Sequence, residues 1–317
     1  MADKTFNLKK HLIIMTSVVF FILLVFGFSY YAVYKFTYAG DWSMYGKQQS
    51  MVASEIRNEL LKQPNMRSIS FTTSDHVNLK GLLLSRNNAT ANLMICHGYK
   101  ASKEFLYNFY SMFPNWNILT FDFRAHGESE GHITSIGVKE SQDVIAAAHF
   151  FRNTTKTPSL NDLPLIIIGI SMGGASTLKA ATQKADLCDI IICDSSYADL
   201  GQTMWSVFSK RSSLPSYPFF HVAKLIFRYL AGCNIDHMCP ENYVESIAQP
   251  ILFIHSRKDS FTSPDNVLRL YANAQYDKCK LWIGPPCRHG GLHSYHGDLY
   301  KHKVSAFIKK QLPNLVV

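Results

Sequence analysis

The chain begins with one long apolar run and then settles into a regular rhythm. Residues 12–34 (LIIMTSVVFFILLVFGFSYYAVY) carry no charge. A helix over this stretch would be about 34 Å long at about 1.5 Å per residue, enough to cross a hydrocarbon layer of about 30 Å. Tyr30, Tyr31 and Tyr34 gather at one end, where interfacial aromatics belong. The run is too long for the core of a cleaved signal peptide, and no polar face interrupts it as in a buried soluble helix. It predicts an uncleaved transmembrane signal anchor. Lys4, Lys9 and Lys10 precede it, and Lys35 and Lys47 follow. That bias places the N-terminal segment, 1–11, in the cytoplasm and the bulk of the chain on the extracytoplasmic side. Residues 35–65 read as a polar, partly helical connector.

From residue 66 to 317 short apolar runs alternate with helical periodicity. Strand patterns cover 67–73, 78–85, 91–96, 117–123, 164–170, 189–193, 250–255 and 278–283, with a hairpin turn at Ser74-Asp75-His76 between the first two. Helical spacing covers 102–113, 138–151, 172–185, 264–274 and 297–311. This order predicts an α/β fold, a mostly parallel central sheet with helices on both faces. Residues 197–248 break the rhythm with Trp205, Phe208, Pro215, Pro218, Phe219 and Phe220, followed by an apolar helix near 221–231. We read them as a short lid insertion over the C-terminal edge of the sheet, where ligands bind in such folds.

One junction in that rhythm carries chemistry. The run 164–170 ends in Gly169-Ile170-Ser171-Met172-Gly173, and a further glycine follows. The pattern G-x-S-x-G between strand and helix lifts a serine hydroxyl above the sheet on a turn so tight that its neighbours must lack side chains. The helix N-terminus behind it favours developing negative charge. A serine is a poor nucleophile at neutral pH and needs a base, and the base needs a group to orient it. Asp259, in the loop after 250–255, is the candidate acid, with Asp194 as its rival. His289 is the candidate base. His293 is the runner-up, and His296 and His302 stand on or near the last helix.

Composition narrows the field. The net charge of +9 is spread along the chain without a basic run, which argues against nucleic acid as partner and allows a mild attraction to anionic membranes. Gly-x-Gly-x-x-Gly and P-loop patterns are absent, so no nucleotide cofactor is expected. The histidines and cysteines lack metal-ligand spacing, and no metal is expected. Of the seven cysteines, Cys233 with Cys239 and Cys279 with Cys287 form two local pairs, disulfide candidates if the domain faces an oxidising space. Asn88-Ala-Thr90 and Asn153-Thr-Thr155 are glycosylation sequons, relevant in a eukaryotic secretory compartment.

Several stretches together resemble the α/β-hydrolase superfamily, most closely its membrane-anchored, short-lidded serine hydrolases. They are His97-Gly98-Tyr99 after one strand, Asp122-Phe-Arg124-Ala-His-Gly127-Glu-Ser129 after the next, the serine turn, Asp259, and His289-Gly290. The resemblance covers about 66–312 and has the superfamily order Ser, Asp, His. It implies an α/β-hydrolase fold and a Ser171–Asp259–His289 triad. Backbone N–H groups of Tyr99 and Met172 would form the oxyanion hole. Asp122, Arg124, Gly127 and Ser129 would hold loops. Serine at the turn sets the chain apart from the haloalkane dehalogenases and epoxide hydrolases, which use aspartate there. Two positions depart from the pattern: Ser256 and Arg288 stand where glycine is common. The implied activity is hydrolysis of an ester or related acyl bond on a small molecule or lipid, of carboxylesterase or lipase type. An acyltransferase, a non-catalytic binding protein and a serine peptidase are the alternatives on the same fold.

Overall fold

The protein is seen here as a computed structural model, which describes residues 2–38, 46–155 and 163–316. Residues 39–45 of the expected connector lie outside these bounds; its start, 35–37, continues α1, and its middle forms α2 (Gly46–Leu61). Eight strands form one sheet: β1 (Met66–Thr72), β2 (Asn78–Leu84), β3 (Ala91–Cys96), β4 (Trp116–Phe121), β5 (Leu165–Ile170), β6 (Ile190–Asp194), β7 (Ile251–Ser256) and β8 (Lys280–Gly284). Their order is β1-β2-β4-β3-β5-β6-β7-β8. The β1–β2 hairpin joins antiparallel, and β3 to β8 run parallel. β3 to β7 are buried along their whole length, because helices cover both faces.

On one face α4 (Glu140–Thr155) and α5 (Met172–Gln183) bring Val144, Phe151 and Leu178 against Met94, Ile167 and Phe253. On the other, α3 (Asn108–Met112) and α10 (Gly297–Gln311) bring Phe109, Tyr300 and Ile308 against Ile95, Ile168 and Ile192. The single helix expected over 102–113 is broken into a 3-10 turn (Lys103–Leu106) and α3. The cause is tertiary. Lys103 is buried, its ammonium 2.6 Å from Asp122, 2.8 Å from Glu104 and 2.9 Å from Glu128. Its N–H also donates to Asp122 at 2.8 Å, so the first turn follows the ion cluster rather than helical register.

The segment 197–248 holds α6 (Leu200–Arg211), α7 (Ser216–Ala231) and three short 3-10 turns. α6 was not foreseen, although Asp199 caps it by accepting from Gln202 N at 2.9 Å. Two short helices, α8 (Asp265–Ala272) and α9 (Leu292–Tyr295), complete the set.

Helix α1 spans Ala2–Thr37 and is long and apolar enough to cross a membrane. Its two halves differ. Residues 8–24 are exposed throughout, including Leu8, Ile13 and Phe20. Val25, Ser29, Val33 and Thr37, spaced four apart, are buried against the domain, and α1 packs along α7. The span expected at 12–34 therefore overlaps a segment docked on protein; the bare part, 8–24, is about 25 Å long.

The seven thiols are all free. Cys279 and Cys287 flank β8 at opposite ends, a separation of about 16 Å for its five residues, against under about 7 Å for a disulfide. Cys239 Sγ instead lies 3.6 Å from Glu241, apart from Cys233. The two expected pairs are thus corrected.

Candidate active site

Between β5 and α5 the backbone turns on Ser171 alone, at φ 55° and ψ −115°. A non-glycine residue pays for such a conformation, and surrounding bonds must hold it there. Ser171 N donates to Asp194 O at 2.7 Å, and Ala175 N donates back to Ser171 O at 3.1 Å. The turn fits because two neighbours lack side chains. A Cβ on Gly173 would stand 2.3 Å from Cys96 O, and one on Gly169 would stand 2.6 Å from Gly173 O. Both obstacles are backbone and cannot swing aside.

The structure brings Ser171, His289 and Asp259 together. His289 Nε2 lies 2.7 Å from Ser171 Oγ, and its Nδ1 lies 2.6 Å from Asp259 Oδ2. The three come from loops after β5, β7 and β8, parallel strands of one half of the sheet with β6 between the first two. With Asp259 ionised, Nδ1 carries the proton, which leaves the Nε2 lone pair facing the serine hydroxyl. Burial alone would raise the Asp259 carboxyl, but hydrogen bonds from His255 and His289 outweigh it and hold it well below the usual range. The backbone supports this: Phe261 N and Thr262 N donate to Asp259 Oδ1 at 2.9 and 3.0 Å, and Thr262 Oγ1 donates to Oδ2 at 3.1 Å.

Thr262 and His255 were not singled out from the sequence. Thr262 sits three residues after Asp259, the spacing of a side-chain-capped turn, and that signal was available. Nothing in the sequence marks His255, which is wholly buried with Nε2 2.9 Å from Thr262 O and 3.3 Å from Asp259 Oδ2. Ser256, the departure from the glycine pattern, has its own task. It accepts from Cys287 N at 2.8 Å and donates to Cys287 O at 3.0 Å and Pro285 O at 3.2 Å. The end of β7 is thereby pinned to the loop that carries His289. Arg288 is simply exposed.

The rivals stand elsewhere. His293 is buried under α3, where Asn108 Nδ2 reaches its Nδ1 at 2.8 Å and the Phe109 ring stacks on it at 4.8 Å. Burial pushes its pKa down to about 4. Asp194 accepts from Ser195 Oγ at 2.8 Å and is pushed up to about 6 by burial, while its carbonyl serves the serine turn.

Gly98 packs close to the serine: a Cβ there would meet Ser171 Cβ at 3.4 Å. Phe123 N donates to His97 Nε2 at 3.0 Å, so His97 carries its proton on Nδ1, which donates to Gly98 O at 2.7 Å. Burial lowers the His97 pKa and keeps the ring neutral. Fixing the Gly98 carbonyl turns the Tyr99 N–H to the opposite side of the same planar peptide. Met172 is the first residue of α5, where N–H groups have no partner inside the helix. The Asp122–Ser129 stretch binds loops together: Ser129 Oγ donates to Asp122 O at 2.6 Å, and Arg124 Nη1 reaches Asp75 at 2.7 Å while its Nη2 reaches Asp143 at 2.6 Å.

Helix α1 also reaches this region. Tyr99 Oη donates to Phe36 O at 2.6 Å, the Phe36 and Tyr99 rings stack at 6.0 Å, Lys100 Nζ donates to Lys35 O at 3.0 Å, and Thr134 N donates to Thr37 O at 2.8 Å.

Comparison with known proteins agrees with this architecture. A family model described as serine aminopeptidase, S33, matches residues 87–226. The uncharacterised protein YqkD of Bacillus subtilis is 26% identical over 73% of this chain and 75% of its own. An uncharacterised membrane protein of Saccharomyces cerevisiae is 22% identical over 68% of this chain and 71% of its own. The Pyrococcus furiosus esterase Pf2001 superposes with a TM-score of 0.62 at 23% identity, covering 77% of this chain and 91% of the esterase, a likeness of fold.

Proposed function

We propose that this chain, which has the α/β-hydrolase fold, is a serine hydrolase cleaving an ester or related acyl bond through an acyl-enzyme. The observation that carries this reading is the unbroken chain of short hydrogen bonds from Ser171 Oγ through His289 to Asp259. His289 Nε2 takes the Ser171 proton as Oγ attacks the carbonyl carbon. The resulting oxyanion is met by the N–H groups of Tyr99 and Met172. When the bond to the leaving alcohol breaks, His289 returns the proton to the departing oxygen. Water then gives a proton to His289 and adds to the acyl-enzyme; the acid leaves and Ser171 regains its hydrogen.

The direct test is labelling of the full-length protein by an alkyl fluorophosphonate. Wild type takes the label, Ser171→Ala does not, and ester turnover falls by about 10⁶ in the variant. A folded wild type that stays unlabelled defeats the reading. The name of the matching family model favours a second reading, serine peptidase. Parallel assays on p-nitrophenyl esters and aminoacyl p-nitroanilides separate the two, and added alcohol acceptors reveal any acyl transfer.

We also propose that α1 anchors the protein in a membrane with its N-terminus cytoplasmic and the catalytic domain on the other side, as the lysines before and after the span suggest. Protease protection in sealed vesicles decides the orientation.

A further inference from the structure

An apolar cavity of about 560 Å³ lies between α1, α6 and α7, within the roughly 300–1,000 Å³ range of small-molecule sites. Its walls include Ala32 and Phe36 of α1, Val207 and Phe208 of α6, and Phe220 and Ala223 of α7. Among the described residues lining it, none is acidic, and its one cation, Lys224, is paired with Asp236 at 2.7 Å. Phe36, on one wall of the cavity, is two residue contacts away from the serine. Its ring stacks on Tyr99, and Tyr99 follows the Gly98 that packs on Ser171.

The surroundings of the cavity are apolar as well. Residues 12–24 of α1 are exposed and uncharged. The outer stripe of α7 exposes Tyr217, Leu225 and Tyr229 at 74%, 67% and 86% beside His221 and Arg228, and Trp205 on α6 is also exposed. Aromatic and leucine side chains along a helix beside a membrane span suit a lipid interface better than water. A tether alone would need neither a cavity on its flank nor bonds to the loop beside the serine.

We propose that this cavity is the acyl-chain site, that α1 forms one of its walls, and that the substrate is a long-chain acyl ester drawn from the bilayer. This rests on the serine-hydrolase reading of Ser171. Each methylene transferred from water into such a site favours binding by about fourfold, so tail length is a sensitive probe.

The experiment compares ethyl and hexadecyl fluorophosphonates on the full-length chain in phosphatidylcholine vesicles, reading the ratio of their labelling rates at Ser171. Wild type favours the hexadecyl probe. Ala32→Phe and Ala223→Phe, each filling the cavity from its own wall, lower the ratio at least tenfold. Leu23→Phe, on the exposed part of α1, leaves it unchanged and controls for partition into the bilayer. A ratio unchanged in both cavity variants, or no tail preference in wild type, overturns the proposal and leaves the hydrolase reading intact. Failure of both probes to label wild type defeats that reading itself. A hexadecyl probe with a terminal diazirine needs no substitution. Crosslinks to α1, α6 or α7 at the cavity support the site, and crosslinks found only elsewhere overturn it.

Discussion

Around Ser171 the loops after β5, β7 and β8 are tied by hydrogen bonds of 2.6–2.7 Å, each with a direction. The α1–α6–α7 assembly is held mainly by apolar side chains, with Ser29 Oγ to Phe219 O at 2.9 Å as a directional contact between α1 and α7. Directional bonds fix atoms to within tenths of an ångström, which proton transfer demands. Apolar packing fixes shape but not single atoms, and here it leaves a cavity. On the proposed function, the first region carries the reaction and the second chooses what reacts. Loss of a bond in the first should strike turnover, and change in the second should strike selectivity.

The strongest break of this contrast is Asp259→Asn, which leaves the packing intact but releases the His289 tautomer. We expect kcat to fall by about 10⁴, with a smaller loss of thermal stability because the carboxylate also accepts from His255, Thr262 and the backbone. Any variant of the α1–α7 seam that cost as much turnover would erase the distinction. Next, Ser256→Ala removes the pin between β7 and the His289 loop, about 1–2 kcal/mol of hydrogen bonding, and kcat should drop about tenfold with KM steady. Ser29→Ala, removing one bond at the seam, should lower the melting temperature by a few degrees and leave kcat unchanged.

The smallest effect is acid sensitivity at the edge of the site. Arg124 beside Asp75 holds that carboxyl down at about 2, against 3.8 ordinarily. A depressed carboxylate stabilises the fold above its unfolded value and loses that contribution as pH falls through the folded one. Melting temperature should therefore decline between about pH 4 and pH 2 in wild type, and less steeply in Asp75→Asn.

The sheet was legible because strands buried on both faces read as unbroken apolar runs, and all eight lie within a few residues of their expected positions. The serine turn was legible for a steric reason, since only glycine fits at 169 and 173. His289 and Asp259 lie at the expected loop positions. What was not legible depends on distant partners. The helix expected over 102–113 broke because Lys103 is claimed by Asp122, nineteen residues away. Ser256 read as a weakness of the pattern because its partners, Pro285 and Cys287, belong to another loop. The docking of α1 on α7 could not be seen in a run that is apolar on every side.

Three carbonyls near the end of α1, those of Lys35, Phe36 and Thr37, accept hydrogen bonds from the loops beside the serine. This bears on how the protein is to be handled at the bench. A water-soluble fragment begun after residue 38 would keep every strand yet strip those donors of these acceptors and uncover the inner flank of α7. On the proposed function, rates measured on it would describe a different catalyst, its discrimination amputated together with its mooring.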